Sequence, residues 1–514
     1  MDRTDAIAQW YLRLSEKYMA EANLEGAMKA THVAAWVMKI QNRSLASIPI
    51  EENLQAIAKQ LPEKFGAKGK KKPFGMQKEW LHVINQALPF GGHTAMMARW
   101  IRADRERKHS VALLSQRIPV PNDLIETIRE CGGDVYRVDV QESFVTRAIW
   151  LRKLTSEVAD CVVLHIDVDD VIAPVGLGGS GGPPVLLVNH AAHLFWAGVS
   201  IADVVINCRG SEQERDWTLK HRGARRCSTL PIPLIEQPQQ DEGRDFTKDK
   251  AKQELGLDPE SLLILSSGEA YKYSPLQTLN FVETISDMLL ANPQANLIVV
   301  GPEENAHWKA ARVKTGSRMR AVGRMPRSQV CLYLRAADIY VEGFPFGSTT
   351  ALLEAGLHGI PVVLAPSDCP PPFGSDGVAL DEVIERPNSI EAYKSAIDRL
   401  LMDPDLRSVQ GALLAKSIRR HHTERGWQRY LDELINELPP NHSVSSLDAV
   451  SSTAESYHEF WIQFARAANF YPPTFLEDSV AYAFATGLRP KDGLGGSWEG
   501  NASVLAELLT SVGD

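Results

Sequence analysis

A lysine, a run of three hydroxyl residues and two histidines are the side chains of this sequence whose types and spacing could do chemistry together. Lys272 lies in Leu262-Leu-Ile-Leu-Ser-Ser-Gly-Glu-Ala-Tyr-Lys-Tyr-Ser-Pro275, an apolar run followed by a glycine turn. That places its cation just past the carboxyl end of a strand, where open parallel sheets bind ligands. A second segment, Val341-Glu-Gly-Phe-Pro-Phe-Gly-Ser-Thr-Thr-Ala-Leu-Leu-Glu354, ends another apolar run in a small-residue turn. Ser348, Thr349 and Thr350 then open a helix. Free backbone N–H groups, hydroxyls and the positive end of the helix dipole make such a start a cradle for a diphosphate. Glu354, four residues past Thr350, is expected to project where a ribose or sugar could reach it. Taken singly, a capped structural helix and a solvated lysine explain these segments as well. Paired in one domain, they form a clamp for a departing diphosphate.

Three further segments bear on an acceptor. Phe90-Gly-Gly-His-Thr-Ala95 follows a strand and opens a helix, and Gly91 and Gly92 would let the backbone approach a ligand closely. A plain tight turn accounts for the same residues. In Val188-Asn-His-Ala-Ala-His-Leu-Phe-Trp196, His190 and His193 follow another strand, and a neutral imidazole there could take a proton from an attacking hydroxyl. His190 is favoured because it is nearer the strand end, against the ordinary alternative of a structural histidine. A metal at His190 and His193 lacks a third ligand. Asp167-Val-Asp-Asp170 reads as a loop lining the cleft. The glycines of Gly176-Leu-Gly-Gly-Ser-Gly-Gly182 lack the lysine of a phosphate loop and read as a flexible loop.

The elements that must hold these residues follow from the apolar pattern. From about residue 78, short apolar runs alternate with amphipathic helical segments. Runs 81–84, 110–114, 134–138, 161–164, 185–188 and 204–206 read as strands, with helices expected at 94–103 and 121–131. After polar Gln237–Lys250, strands at 262–265, 297–300, 339–341 and 361–364 are separated by helices at 276–291, 328–336 and 350–358. That alternation predicts an α/β protein of two tandem Rossmann-like, doubly wound parallel sheets facing a cleft. The spacing around Trp427, Tyr430, Leu431, Leu434 and Ile435 predicts a helix closing the second domain. The domains are a helical cap or hairpin at 1–62, a basic linker at 63–77, and Rossmann-like domains at 78–240 and 250–440. A C-terminal appendage with an aromatic helix at 457–470 occupies 441–514. Helical spacing before residue 40, with a break at Asn23-Leu-Glu-Gly26, resembles a single tetratricopeptide hairpin but shows no repeat.

Composition narrows the class. The 514 residues are too many for one core, 44% are hydrophobic and 23% charged, and the net charge is -9. An acidic chain argues against a nucleic-acid surface, and the lone basic cluster, Lys68 and Lys70 to Lys72, reads as a solvated linker. Six scattered cysteines support neither a disulfide framework nor a zinc site. With no secretory core and no spanning stretch, the expectation is a cytoplasmic protein, peripheral membrane contact being left open.

The 267–275 and 344–354 segments together resemble the donor half of GT-B-fold glycosyltransferases. The similarity is greatest to family 41, which holds the O-GlcNAc transferases and bacterial cytoplasmic adhesin glucosyltransferases. It covers residues 260 to 366 well and the rest in outline. The resemblance implies that Lys272 contacts the diphosphate, that Thr349 and Thr350 form its helix start, and that Glu354 is the acidic donor position. The donor set is then Gly268, Tyr271, Lys272, Arg324, Phe346, Gly347, Ser348, Thr349, Thr350 and Glu354. The catalytic set is His190, His193 and Lys272, with Gly91, Gly92 and His93 as the cleft loop. Retaining family 4 places two glutamates eight positions apart, whereas Glu342 and Glu354 are twelve apart, and its arginine is Glu269 here. Both departures favour family 41, whose members invert, and leave retention open. The implied activity moves a hexosyl or N-acetylhexosaminyl group from a nucleotide-sugar, UDP-linked by preference, to a protein or glycan acceptor, with no cofactor and no metal. A nucleotide-sugar epimerase of the same fold and a catalytically silent scaffold are the alternatives.

Overall fold

The computed structural model describes residues 3–41, 44–62, 78–89, 92–236, 247–447 and 455–468. The basic cluster at 68–72, Gly91 and the last 46 residues of the expected appendage therefore lie outside the described residues.

The first sheet comprises β1 (Glu79–Ile84), β2 (Lys108–Leu113), β3 (Val135–Arg137), β4 (Cys161–His165), β5 (Val185–Val188), β6 (Val204–Asn207) and β7 (Cys227–Thr229), in the order β3-β2-β1-β4-β5-β6-β7. The second comprises β8 (Leu262–Ser267), β9 (Ala295–Val300), β10 (Met319–Ala321), β11 (Ile339–Val341) and β12 (Val362–Val363), in the order β10-β9-β8-β11-β12. Neighbouring strands pair parallel in both. The α/β, doubly wound architecture read from the sequence is the one observed. Strands covered on both faces need continuous apolar runs, which is why β4 and β5 are legible and wholly buried. The edge strands β7 and β10 have only three residues each and are partly exposed. They carry no apolar run, and the sequence pattern misses them.

Two expected helices are corrected. Residues 276–280 form a turn, with Leu276 and Leu279 bridging and Gln277 at φ 52°, and the helix spans only Phe281–Ala291. Asn280 starts it, its side-chain oxygen accepting the Glu283 N–H at 3.2 Å. Helix Glu424–Glu437 does not close the second lobe. It crosses back to the first, where buried Trp427, Leu431 and Leu434 pack with Trp80, Trp100, Cys161 and Val163. The Trp427 indole donates to Pro231 O at 2.8 Å. Periodicity identified its apolar face, but a face carries no address.

The amino-terminal helices α1 (Arg3–Ala20), α2 (Leu24–Gln41) and α3 (Ile48–Gln60) share one core with the opposite face of the first sheet. Ser15 and Thr31 both donate to the Asn53 side-chain oxygen, at 2.8 and 2.7 Å, tying the three helices through a buried polar knot. Buried Glu51 accepts the N–H groups of Gly198, Val199 and Ser200. The cap is thus built into the first lobe. The glycine run is also less free than expected, since Gly176 lies in helix Ile172–Leu177 against Ala148 and a Cβ on Gly178 would meet that of Ala58 at 2.5 Å. After Glu437 the chain straps the first lobe, with His442 flanked by Asp203 Oδ2 at 2.7 Å and Leu177 O at 2.9 Å. Helix Glu455–Ala467 then lays Tyr457, Trp461 and Phe464 into the second lobe's core. All six cysteines are free, and no helix among the described residues is long and apolar enough to cross a membrane.

Candidate donor and acceptor site

Both predicted donor segments meet at the carboxyl ends of β8 and β11. After β8 the chain turns at Gly268, where a Cβ would stand 2.6 Å from Ser348 Oγ, so only glycine allows the two segments to touch. The short helical turn Ala270–Tyr273 lifts Lys272, whose Nζ donates to Gly347 O at 2.7 Å and sits 4.8 Å from the centre of the Phe346 ring. Burial lowers the Lys272 ammonium to about 8, against the opposing pull of Glu342 and Glu269. Glu342 is itself buried and accepts the N–H groups of Ala365 and Ser375, each at 2.9 Å. It leaves no room for a side chain at Gly347, where a Cβ would lie 1.8 Å from Glu342 Oε1.

Helix Thr349–Leu357 begins at this junction. Ser348 occupies the N-cap position and makes no capping hydrogen bond, while the Thr349 and Ser375 hydroxyls share one at 2.8 Å. Ser348, Thr349 and Thr350 are all partly exposed. The first-turn N–H groups, the Ser348 hydroxyl and the Lys272 side chain therefore share one partly open turn, the arrangement an anionic diphosphate needs.

The remaining donor candidates line this turn unequally. Tyr271 is half-buried, and burial, with Glu269 adding, pushes its phenol up to about 12. Phe346 is packed by the rings of His193, Phe373 and Phe464, at centroid distances of 4.9, 5.3 and 5.4 Å. Arg324 follows β10 at the exposed mouth and pairs with Glu269. Glu354 departs from its expected setting. It is the sixth residue of its helix, beyond the first turn, and its Oε1 meets Arg99 Nη2 of the other lobe at 2.5 Å. Arg99 belongs to α4 (Gly92–Ala103), so this ion pair joins the two lobes.

Across the cleft, the segment after β5 carries both histidines. Buried Arg222 holds it, donating to Ala192 O at 2.6 Å and Leu194 O at 2.7 Å while its guanidinium lies 3.5 Å from the Trp196 ring centre. His193 faces the donor lobe, its ring 4.9 Å from Phe346 and 5.2 Å from Trp461. Burial, with Lys272, Arg222 and Arg209 adding, lowers it to about 3 and keeps it neutral. His190 stacks on His93 at 4.2 Å, and its Nε2 lies 2.8 Å from His165 Nδ1. Burial, with His93 adding, holds it well below the usual histidine range. The cleft loop and the histidine segment thus come together through His93, on the first turn of α4, while Gly92 stands exposed beside it.

The acidic run is taken up by local contacts. Asp169 pairs with Lys39 of α2 at 3.0 Å. Asp170 accepts from Asn85 at 2.8 Å and is pushed up to about 6 by burial. Sequence reasoning missed Arg99, Arg222, Ser375, Phe373 and Trp461, which surround the site but are scattered along the chain without motif spacing. The aromatic bias of residues 457–464 was the one signal that could have drawn attention to Trp461.

Residues 247–412 match the family model of glycosyl transferases group 1. No curated protein sequence matches the chain. Among solved structures, a mutant O-GlcNAc transferase of Thermobaculum terrenum aligns at 15% identity over 91% of this chain and 86% of its own, with a TM-score of 0.50. Alr3699/HepE of Anabaena, solved in complex with UDP and glucose, aligns at 14% identity over 70% of this chain and 100% of its own, TM-score 0.51. A glycosyltransferase from Rickettsia africae aligns at 13% identity over 70% and 98%, TM-score 0.50. At these identities the likeness is one of fold.

Proposed function

We infer that this chain, a GT-B glycosyltransferase by its group 1 domain and its paired sheets, moves a hexosyl or N-acetylhexosaminyl group from a UDP-sugar to a hydroxyl of a protein or glycan. The observation that carries this reading is Lys272 Nζ at 2.7 Å from Gly347 O, beside the uncapped start of helix Thr349–Leu357. The acceptor hydroxyl attacks the anomeric carbon, loses its proton to a histidine of the 190–193 segment, and the sugar–phosphate bond breaks with its electron pair on UDP. Lys272 and the first-turn N–H groups hold the charge that develops on the pyrophosphate. Because a cation and a helix start supply that stabilisation, no step calls for a metal. Direct displacement with inversion is the stereochemical outcome of this mechanism. Two neighbours of the same fold support the substrate class, one solved with UDP and glucose and one an O-GlcNAc transferase.

Thermal-shift titration with UDP, UDP-glucose, UDP-N-acetylglucosamine and GDP-sugars tests the donor, since a ligand of the native state raises its melting temperature. Mass spectrometry of a lysate incubated with the stabilising sugar then identifies the acceptor. Absence of any shift with UDP would overturn the assignment. Conversion of the UDP-sugar without an acceptor would favour an epimerase.

A further inference from the structure

The first lobe contains a line of histidines that the donor clamp does not use. His109 on β2, His82 on β1, His165 at the end of β4 and His190 just beyond β5 sit on four successive strands. His109 is in register with Trp80 and the next histidine is two residues on, at His82; His82 is in register with Val163 and the next is two on, at His165. His190 follows two residues after Val188, the last residue of β5. Each step crosses one strand and advances two residues, so all four side chains share one face of the sheet. They touch end to end: His109 Nδ1 is 2.9 Å from His82 Nε2, His82 Nδ1 is 3.0 Å from His165 Nε2, and His165 Nδ1 is 2.8 Å from His190 Nε2. His82, His109 and His165 are wholly buried.

The far end of the line is an anion. Asp104, just past α4, is also wholly buried, and its Oδ2 lies 3.1 Å from His109 Nε2. The two atoms form an ion-pair contact, and neither makes a hydrogen bond of regular geometry to any group among the described residues. The other carboxylate oxygen accepts from Arg107 at 2.8 Å and from the Glu106 N–H at 3.3 Å. Burial alone would raise the Asp104 carboxyl, but His109 and Arg107 outweigh it and hold it low.

This geometry sets every proton. A carboxylate only accepts, so His109 carries its hydrogen on Nε2 and leaves Nδ1 to accept. His82 then donates through Nε2, and by the same rule so do His165 and His190. His190 is left with a bare Nδ1, which has no hydrogen-bond partner among the described residues. We propose that Asp104, His109, His82 and His165 form a relay that fixes the tautomer of His190, so that its Nδ1 is the base for the acceptor hydroxyl.

The inference rests on the transferase reading above and deepens it. When His190 Nδ1 takes the acceptor's proton, its Nε2 proton can pass to His165 Nδ1, and the shift repeats to His82 and His109. The added proton comes to rest at His109, which then carries hydrogens on both nitrogens against the Asp104 carboxylate, leaving His190, His165 and His82 neutral in the opposite tautomer. The reverse sequence returns one proton from His190 Nδ1 to water after the product leaves. His193 lies outside this line, its ring against Phe346 and Trp461. Asp104, His109, His82 and His165 are positioning residues, and only His190 touches the reacting hydroxyl.

Nitrogen-15 NMR of histidine-labelled full-length protein reads the tautomers directly and requires no substrate. The relay requires Nε2–H on all four rings, and Nδ1–H on His190 in the wild-type protein overturns it. The informative variant is Asp104→Asn. Arg107 and the Glu106 N–H keep the amide oxygen at the Oδ1 position, which turns the amide NH2 toward His109 and reverses the whole line. His190 should then appear as Nδ1–H. In steady-state assays kcat should fall about 10²- to 10⁴-fold, the usual contribution of a general base, with UDP affinity unchanged. A folded Asp104→Asn protein with wild-type kcat refutes the relay, as a purely structural network would change melting temperature alone. If wild-type protein binds no UDP and transfers nothing, the transferase reading fails, while the tautomers still decide whether the line is oriented as stated.

Discussion

Replacing Lys272 by alanine removes the ammonium that reaches the open turn at Gly347. The size of the effect follows from charge and distance. A unit charge held about 4 Å from a developing negative charge, at an effective dielectric near 20, contributes about 4 kcal/mol. The bound donor already feels part of the lysine's field, but the charge that appears as the sugar–phosphate bond breaks is new and is stabilised only in the transition state. At roughly 1.4 kcal/mol per tenfold, the variant should lose about 10³-fold in kcat. Folding should suffer far less, because the lost hydrogen bond to Gly347 O is worth about 1 kcal/mol and the ammonium is depressed by its own burial. The assay is initial-rate release of UDP in the presence of acceptor, with circular dichroism and a thermal melt on the same preparation. A variant with kcat within threefold of wild type and an unchanged melt would refute the leaving-group role of this lysine.

Other consequences are open to measurement. Since Lys272 is lowered to about 8 and works as the cation, kcat/KM for the donor should hold below pH 8 and decline as pH rises through that value; a flat profile to pH 10 would argue against it. Arg99 and Glu354 bridge the lobes at 2.5 Å with both side chains largely buried, so a double-mutant cycle with Arg99→Ala and Glu354→Ala should show a coupling of about 1–3 kcal/mol in urea denaturation. Trp461→Ala should lower stability by about 3 kcal/mol by emptying the contact with His193 and Phe373; an unchanged urea midpoint would mean the helix contributes no packing there. Transfer rates should be equal with and without EDTA, and restoration by added Mg²⁺ or Mn²⁺ would contradict a metal-independent clamp.

Much of this molecule was legible along the chain because the physics involved is local. Strands buried on both faces are built mainly of apolar residues, so β4, β5 and β9 announce themselves as short stretches rich in valine, leucine and isoleucine. A strand followed by glycine and lysine, and another followed by Gly347 and three hydroxyls, mark two carboxyl-end turns without reference to the rest of the fold. Short, partly exposed β7 and β10 escape that logic because they have little to bury. Register is equally silent. His82, His109 and His165 sit in apolar strands or at their ends, and each alone looks like an ordinary core histidine.

Sequence by itself determined the two-sheet architecture and the two segments of the anion cradle, because hydrophobic period, turn chemistry and helix starts act over a few residues. Only the tertiary structure decided that Gly268 and Ser348 touch, that Arg99 reaches Glu354, that Trp427 returns to the first lobe and that four histidines align behind Asp104. These contacts join residues tens to hundreds of positions apart, and their identity depends on strand order and register, quantities set by packing the whole core at once.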